Sequence, residues 1–592
     1  MTTINKLGRS PIALIMPALA ILLVVFGIPI VSLFLTSLNA PDFSAANYKA
    51  FFDQSANIRI LLQTIEMSIV ATAICLIIGY PTAYLIVAAP KYLRVALIVL
   101  VVIPYLTSGL ARIYAWIVIL GDRGLVNSLL LDFGVISSPL PLIYNRTAVY
   151  IGMVHIMLPT MILPLISVMF GIDKSLMAAA RSMGAKPFAA FWRVFFPLSL
   201  PGVRSGTLLV FVFCLGFYIT PAALGGLRDA MLSNFIETQV SSSLNMARTA
   251  ASAFILLAIT IVVLSAIGLD LSSTQGSGSK TARTPWLGKL SSFGRLKRWA
   301  NELVTPYRAK GWTDHLYQAG GHSRWPKLVG SVFVVLVMFF LQFPGLIVIM
   351  MSFSAGAFLE FPPSAFSLQW YRSFFGDPSW SGAAWTSVQL GVVVTILSTI
   401  IGTLAAYGLT RTRPRLRSSL TMLILTPITF PVIVVGVATY LGLLQLGLLS
   451  SKTGVVLAHS IGAIGTVVVI VSATLANFDR RLEQAAMSMR AGPLKTFMRV
   501  TLPLIRPGII GGAVFAFLQS FDEVVITKLV GGLSIRTLPL KMWENIRNQI
   551  DPTIAAVSTL LMLLPVLWLV VLYFTWWRSR LRNQRVILGP PI

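Results

Sequence analysis

Residues 179–202 read AARSMGAKPFAAFWRVFFPLSLPG, and residues 485–508 read AAMSMRAGPLKTFMRVTLPLIRPG. At a constant offset of 306 they share Ala179/Ala485, Ala180/Ala486, Ser182/Ser488, Met183/Met489, Pro187/Pro493, Phe191/Phe497, Arg193/Arg499, Pro197/Pro503 and Gly202/Gly508. The register runs on through Gly206/Gly512 and Gly225/Gly531. Earlier in the chain an offset of 323 pairs Gly79/Gly402, Ala83/Ala406, Tyr84/Tyr407 and Pro104/Pro427. The change of offset puts about 17 extra residues in the first copy, in the loop around 121–146. The chain is a tandem repeat.

Hydropathy says what is repeated. Of 592 residues, 56% are hydrophobic and only 11% charged, with a mean hydropathy of +0.83. A soluble domain of this size needs more charge to cover its surface. Runs long enough to cross roughly 30 Å of hydrocarbon fall at 12–38, 61–89, 95–120, 147–172, 205–227 and 249–269. The second copy has them at 328–358, 383–410, 418–451, 453–477, 507–531 and 553–577. Lipid offers no partner to an unpaired backbone, so these spans are helices. Six spans per copy bring both copies into the membrane from the same side. The expectation is an all-α membrane protein: twelve transmembrane helices as two parallel six-helix repeats, with a matched cytoplasmic loop in each half. A pathway is expected between the halves. Residues 1–270 form the first half and 328–592 the second. Between them, 271–327 hold ten Lys or Arg against two acids and read as a basic cytoplasmic linker.

The formal charge of +27 would suit nucleic acid in a soluble protein. Here the basic excess falls on alternate connecting segments, which is the pattern of a cytoplasmic face. The chain reads as a multi-pass inner-membrane protein with both termini cytoplasmic and its basic face against anionic lipid. No role with nucleic acid is expected. Cys75 and Cys214 lie within spans and read as small packing residues. No Cys or His cluster has metal-ligand spacing. Gly276 to Thr281 looks like a phosphate loop, but Ser279 stands where its second glycine belongs and no strand precedes it. No nucleophile–base or paired-acid constellation is present, so no catalytic residue is assigned.

The paired stretch lies between the fourth and fifth spans of each half, on the basic face. The first copy runs Ala178, Ala179, Ala180, three residues, Gly184, and on to Pro197; the second runs Gln484, Ala485, Ala486, three residues, Arg490, and on to Pro503. Small residues allow close approach of a partner surface. Arg181, Arg193, Arg480, Arg481 and Arg499 can steer that partner. Pro197 and Pro503 are expected to punctuate the chain before it turns back into the membrane.

This pattern resembles the EAA loop of binding-protein-dependent ABC importer permeases: Glu-Ala-Ala, three residues, Gly, nine residues, Ile-x-Leu-Pro. The acid is replaced by Ala178 and Gln484, and the second glycine by Arg490. Glu483, one position earlier, is the candidate for the missing carboxylate. Phe217 to Gly226 and Arg112 to Trp116 resemble the first permease of spermidine/putrescine importers; Ser367 to Arg372 and Phe521 to Val525 resemble the second. The whole is similar to a fused two-half form of that pair. The resemblance implies a coupling helix in each half that docks on an ATP-binding-cassette ATPase dimer. It also implies an extracytoplasmic substrate-binding protein, no cofactor bound directly, ATP consumed by the partner, and alternating access for a small, polyamine-like cation. An ion-gradient-driven secondary transporter would also have twelve spans in two halves, but it leaves the duplicated loop unexplained.

Charges inside spans cost roughly 2.5–3.5 kcal/mol each on insertion scales, which makes the few present candidates for the pathway. They are Glu66, Arg112, Asp522, Glu523 and Lys528. The topology puts all five toward the outer mouth, with Tyr105, Tyr114 and Trp116 available for cation–π contact. Within one continuous helix Asp522 and Glu523 would point about 100° apart, so only one of them is expected on the path. The competing expectation is that the acids pair with Arg112 or Lys528 and brace the gate.

Overall fold

A computed structural model describes residues 11–242, 245–267, 325–356, 360–363, 365–532, 534–548 and 552–567. The linker over 271–324, with Gly276 to Thr281, and the end of the twelfth span beyond 567 lie outside the described residues.

Among the described residues the regular elements are helical. The first half comprises α1 (Met16–Ser37), α2 (Ser55–Ala88), α3 (Lys91–Leu106), α4 (Gly109–Leu120), α5 (Arg146–Phe170), α6 (Lys174–Ser182), α7 (Pro187–Leu215), α8 (Ile219–Leu224), α9 (Leu232–Ser242) and α10 (Met246–Ile267). The second repeats the order as α11 (Trp325–Ser352), α12 (Pro378–Arg411), α13 (Pro414–Thr429), α14 (Val432–Gln445), α15 (Lys452–Ala476), α16 (Arg481–Ser488), α17 (Pro493–Phe521), α18 (Val525–Val530), α19 (Leu538–Asn548) and α20 (Thr553–Leu567). Among the described residues ten helical stretches are long and apolar enough to cross a membrane, α4 being counted with the segment that follows it as Gly109–Asp132, and the α13–α14 pair makes an eleventh. Thr553–Leu567 is a shorter apolar helix within the run where the twelfth span is expected.

Two spans that read as continuous are broken. The apolar run 95–120 divides into α3 and α4, with Thr107 and Ser108 extended between them (ψ 152° and 131°). The run 418–451 divides into α13 and α14, which meet at 100° with Phe430 and Pro431 extended (ψ 147° and 132°). Proline pushes the residue before it out of the helical region, which accounts for Phe430. Hydropathy cannot register such a break, because the flanking residues stay apolar.

Spans five and eleven depart from expectation in the opposite sense. Pro197 and Pro503 do not end anything: the helical path runs through them from Pro187 to Leu215 and from Pro493 to Phe521. A five-residue π-turn, Phe191–Phe195 or Phe497–Thr501, precedes the proline in each copy. A wider turn relieves the clash of the proline ring with a carbonyl one turn back, so the helix continues.

Each half packs two helices closely against a central one. A Cβ on Gly79 of α2 would lie 2.9 Å from Met161 of α5, and one on Gly206 of α7 would lie 2.9 Å from the same side chain. In the second half Gly402 of α12 meets Val467 of α15 at 2.7 Å, and Gly512 of α17 packs on it at 3.4 Å. Met161 and Val467 are themselves a repeat pair. Small residues at such positions let backbones approach where no hydrophobic drive operates between helices.

The first span of each half also packs against the other repeat. Ile15, Ala18, Leu22 and Phe26 share a core cluster with Leu390, Ala405, Val435 and Val468 of the second half. Val334, Met338, Leu341 and Met351 of α11 are buried with Val101, Ile117 and Val154 of the first. The halves are therefore interlocked rather than merely apposed.

Candidate functional site

The breaks meet in pairs. The gap after α17, at Asp522–Val524, sits on the gap between α3 and α4. Ser108 donates its hydroxyl to Asp522 Oδ1 at 2.5 Å, and the Gly109 amide donates to Oδ2 at 3.0 Å. A carboxylate from the second half thus caps the first turn of α4 in the first half, where unpaired amides and the helix dipole favour negative charge. Under the 306 offset Asp522 corresponds to Gly216, and a Cβ there would lie 3.3 Å from Pro431. The second crossing joins the counterpart elements with a glycine in place of the carboxylate. The two crossings share a geometry and differ in charge.

At the charged crossing lies a cavity of about 410 Å³, lined by Tyr105, Ser108, Arg112, Phe213, Phe521, Asp522 and Glu523 among others. Asp522 and Glu523 both face it, contrary to the expectation of a single lining acid. They occupy a helix break (Asp522 φ −95°, ψ 6°), so the 100° rule does not apply to them. Glu523 also turns back to cap its own short helix, accepting from the Ile526 amide at 3.0 Å. Arg112 is 7% exposed, and its Nε and Nη1 have no hydrogen-bond partner among the described residues. No ion pair joins it to either acid among the described residues.

The remaining candidates lie elsewhere. Lys528 pairs with Glu237 of α9 at 2.6 Å and donates to the Tyr218 hydroxyl at 2.8 Å, a second link between the halves. Glu66 sits in a half-exposed cluster, with its carboxylate 3.4 Å from Arg146, which also reaches Asp229 and Gln63. The structure does not bring Glu66 to the cavity. Tyr114 is fully buried in the core of the first half, and Trp116 packs against His155 and Phe340. Sequence reasoning missed Ser108, Gly109, Glu237 and His459. The imidazole of His459 bridges Ser520 and Thr527 at 2.9 Å on each side of the α17–α18 break. Signals did exist: Thr-Ser-Gly inside an apolar run, and a histidine in a charge-free span.

The duplicated stretch forms short helices, α6 and α16. Each is preceded by an aspartate that accepts an amide two residues on, Asp173 from Ser175 at 2.8 Å and Asp479 from Arg481 at 2.9 Å. That amide holds the Asp173 carboxyl below its ordinary value. Ala178 and Ala179 are exposed and Ala180 is buried; Gln484 and Ala485 are exposed and Ala486 is buried. Glu483 does not stand in for the missing outward acid. It is 7% exposed and points back into its own half, where it pairs with Arg411 and accepts from Thr501. In the first half Met177, Phe195 and Ala88 stand where the second has Glu483, Thr501 and Arg411, and packing there is apolar and aromatic, with Tyr84 against Phe195.

Gly184 and Arg490 both take a left-handed backbone, φ +87° and +61°. A Cβ on Gly184 would meet nothing within 4 Å, so the requirement there is conformational. A non-glycine residue pays about 1 kcal/mol in that region. Arg490→Gly is therefore expected to slow amide exchange across 481–491 roughly fivefold, about 1 kcal/mol by the usual conversion. Gly184→Arg should speed it by a similar factor across 174–185. Unchanged exchange in both variants would mean that these turns are not the weak point of the loops.

A helical membrane protein of two interlocked repeats, with a central charged cavity and a matched surface helix in each repeat, is by class a transport permease. The family described as binding-protein-dependent transport system inner membrane component matches residues 398–583. The chain is 40% identical over 188 residues to the spermidine/putrescine transport system permease protein PotB of Haemophilus influenzae, covering 32% of this chain and 65% of that protein. It is 36% identical over 197 residues to PotB of Escherichia coli, covering 33% and 71%. It is 31% identical over 242 residues to the putrescine transport system permease protein PotI of Escherichia coli, covering 39% and 84%. The chain belongs to the family of binding-protein-dependent transport inner membrane components, and it is a multi-pass inner-membrane permease rather than an enzyme.

Proposed function

We propose that this chain forms the membrane pathway of an ATP-driven importer for small organic polycations of the spermidine and putrescine class. The observation that carries this reading is the cavity at the crossing of the two halves. It holds two carboxylates against one guanidinium, so a cation entering it lowers the local electrostatic energy. Tyr105, Phe213 and Phe521 offer ring faces to an alkylammonium chain. About 410 Å³ falls in the range of small-molecule sites.

Alternating access follows from the links between halves. In the closed arrangement Asp522 caps α4 across the interface and Lys528 pairs with Glu237. Both links must part or slide when the halves separate. The force is assigned to an ATP-binding-cassette ATPase dimer docked on α6 and α16 at the cytoplasmic face, where the N- and C-termini also lie. The chain itself binds no nucleotide. A substrate-binding protein delivers cargo on the opposite face. The spermidine/putrescine and putrescine permeases among its relatives support this substrate class.

The test is uptake of labelled spermidine into proteoliposomes holding the permease with its ATPase, the binding protein being added on the cargo side. Uptake is expected to need hydrolysable ATP and to stop when Ala179 and Ala485 are both replaced by Glu, with loss of the ATPase on co-purification. Uptake driven by an ion gradient without ATP would replace this reading with a secondary transporter.

A further inference from the structure

The elbow between α12 and α13 concentrates charge that the fold does not neutralise. Arg411, Arg413, Arg415 and Arg417 follow one another at every second position, and Arg480 and Arg481 open α16 beside them. Two of the six have protein partners: Arg411 pairs with Glu483, and Arg480 donates to the carbonyl of Thr410. That second bond brings the start of α16 against the elbow. Arg417 and Arg480 lie close enough to repel each other. Arg413, Arg415, Arg417, Arg480 and Arg481 have no acidic partner among the described residues. The nearest acids are already engaged, Glu483 by Arg411 and Asp479 by the Arg481 amide. The N-terminus of α13 carries no side-chain cap either, which adds unpaired amides to the same place.

The first half has nothing comparable. Ala88, Pro90 and Tyr92 stand where the second half has Arg411, Arg413 and Arg415. Arg94, the counterpart of Arg417, is consumed internally. It donates to the Ala89 carbonyl through Nε and Nη2, at 3.1 and 2.7 Å, and its guanidinium lies 5.2 Å from the Phe170 ring. The charge cluster is therefore a property of one half and not of the repeat.

We propose that this elbow binds the headgroup of an anionic phospholipid, with the phosphate among Arg413, Arg415, Arg417 and Arg480. What identifies a lipid is the surface immediately beyond. Leu416, Met422 and Leu423 of α13 are exposed and apolar, 41%, 59% and 56% respectively, and continue from the arginines along the helix. A ligand covering both must be anionic at one end and hydrocarbon at the other. Each basic residue near an anionic membrane surface adds to the attraction, which salt screens within about 10 Å. Because Arg480 ties this elbow to α16, the bound lipid braces one coupling helix and not the other.

The experiment uses the full chain in nanodiscs of phosphatidylcholine, titrated with spin-labelled phosphatidylglycerol. Arg413→Gln/Arg415→Gln/Arg417→Gln is expected to weaken binding at least tenfold, and 0.5 M NaCl should weaken wild-type binding in the same direction. Lys91→Gln/Arg94→Gln, at the matching place in the first half, should leave it unchanged. The single variant Arg415→Gln, at an exposed position, should give about a threefold drop and guards against misfolding of the triple variant. Equal binding by wild type and Arg415→Gln overturns the proposal. So does displacement of the lipid by inorganic phosphate at matched concentration, which would make this a soluble-anion site. Unchanged lipid binding with loss of the co-purifying ATPase would reassign the arginines to a protein interface.

Discussion

Asp522→Asn is expected to reduce the rate of amine uptake at low substrate about a hundredfold while the protein remains folded. Two losses combine. The cavity gives up one of its two acids, and the cap on α4 loses half of its chemistry. An asparagine oxygen can still accept from Ser108, but its amide nitrogen then faces the Gly109 N–H, donor against donor. A hundredfold loss corresponds to about 2.7 kcal/mol of transition-state stabilisation. Folding should suffer less, because the substitution also removes the cost of keeping a charge within the membrane. Glu66→Gln is the informative control. Sequence pattern alone groups Glu66 with Asp522, whereas the structure puts it in a half-exposed cluster with Arg146. Its uptake is expected to match wild type. The measurement is the initial rate of labelled spermidine uptake, paired with a detergent melting curve. An Asp522→Asn protein transporting within threefold of wild type would remove the cation-binding role of the crossing.

The second large effect is expected at Glu483. Glu483→Ala leaves the Arg411 guanidinium and the Thr501 hydroxyl without their shared acceptor. Removing one partner of a buried ion pair costs roughly 3–5 kcal/mol. Arg411 is a fifth exposed, which puts the cost at about the lower end. The cost falls on the contact that holds α16 to its own half. Amides across 479–490 should then exchange at least tenfold faster, and uptake should fall further than ATP hydrolysis by the assembled importer. Met177→Ala, the equivalent change in the first half, removes only part of an apolar contact and should cost about 1–2 kcal/mol. Hydrogen-exchange mass spectrometry of the two loops checks both. Unaltered exchange at 479–490 in Glu483→Ala would show that α16 is held by something other than this carboxylate.

Both predictions turn on asymmetry between repeats that look alike. Asp522 faces Ser108 and Gly109 at one crossing, while Gly216 faces Pro431 at the other. Glu483, Arg411 and Thr501 hold one surface helix, while Met177, Tyr84 and Phe195 hold the other. A fused chain is free to diverge in this way, because each half meets one fixed partner and not a copy of itself.

Much was legible beforehand. Charge-free runs of membrane length mark the spans, because lipid admits few other backbone solutions. The constant offsets expose the duplication, and the Ala-Ala pairs with their downstream prolines locate the two surface helices. The departure at Arg490 was visible as a residue standing where a turn calls for glycine, and the structure gives it the left-handed backbone that this implies.

What stayed hidden depended on contacts between distant residues. The break at Phe430–Pro431 is written locally, since proline forbids the preceding helical conformation. The matching break at Thr107–Ser108 has no proline, and it is capped by Asp522, more than 400 residues away. Local sequence can encode the first kind of break but not the second. The same holds for the packing of each first span on the opposite half, the separation of Glu66 from the cavity, and the inward turn of Glu483. Periodicity and composition determine that a segment is helical and apolar, because those properties belong to the segment. Which face a lone charge meets belongs to the assembled bundle, and only the tertiary structure decided it.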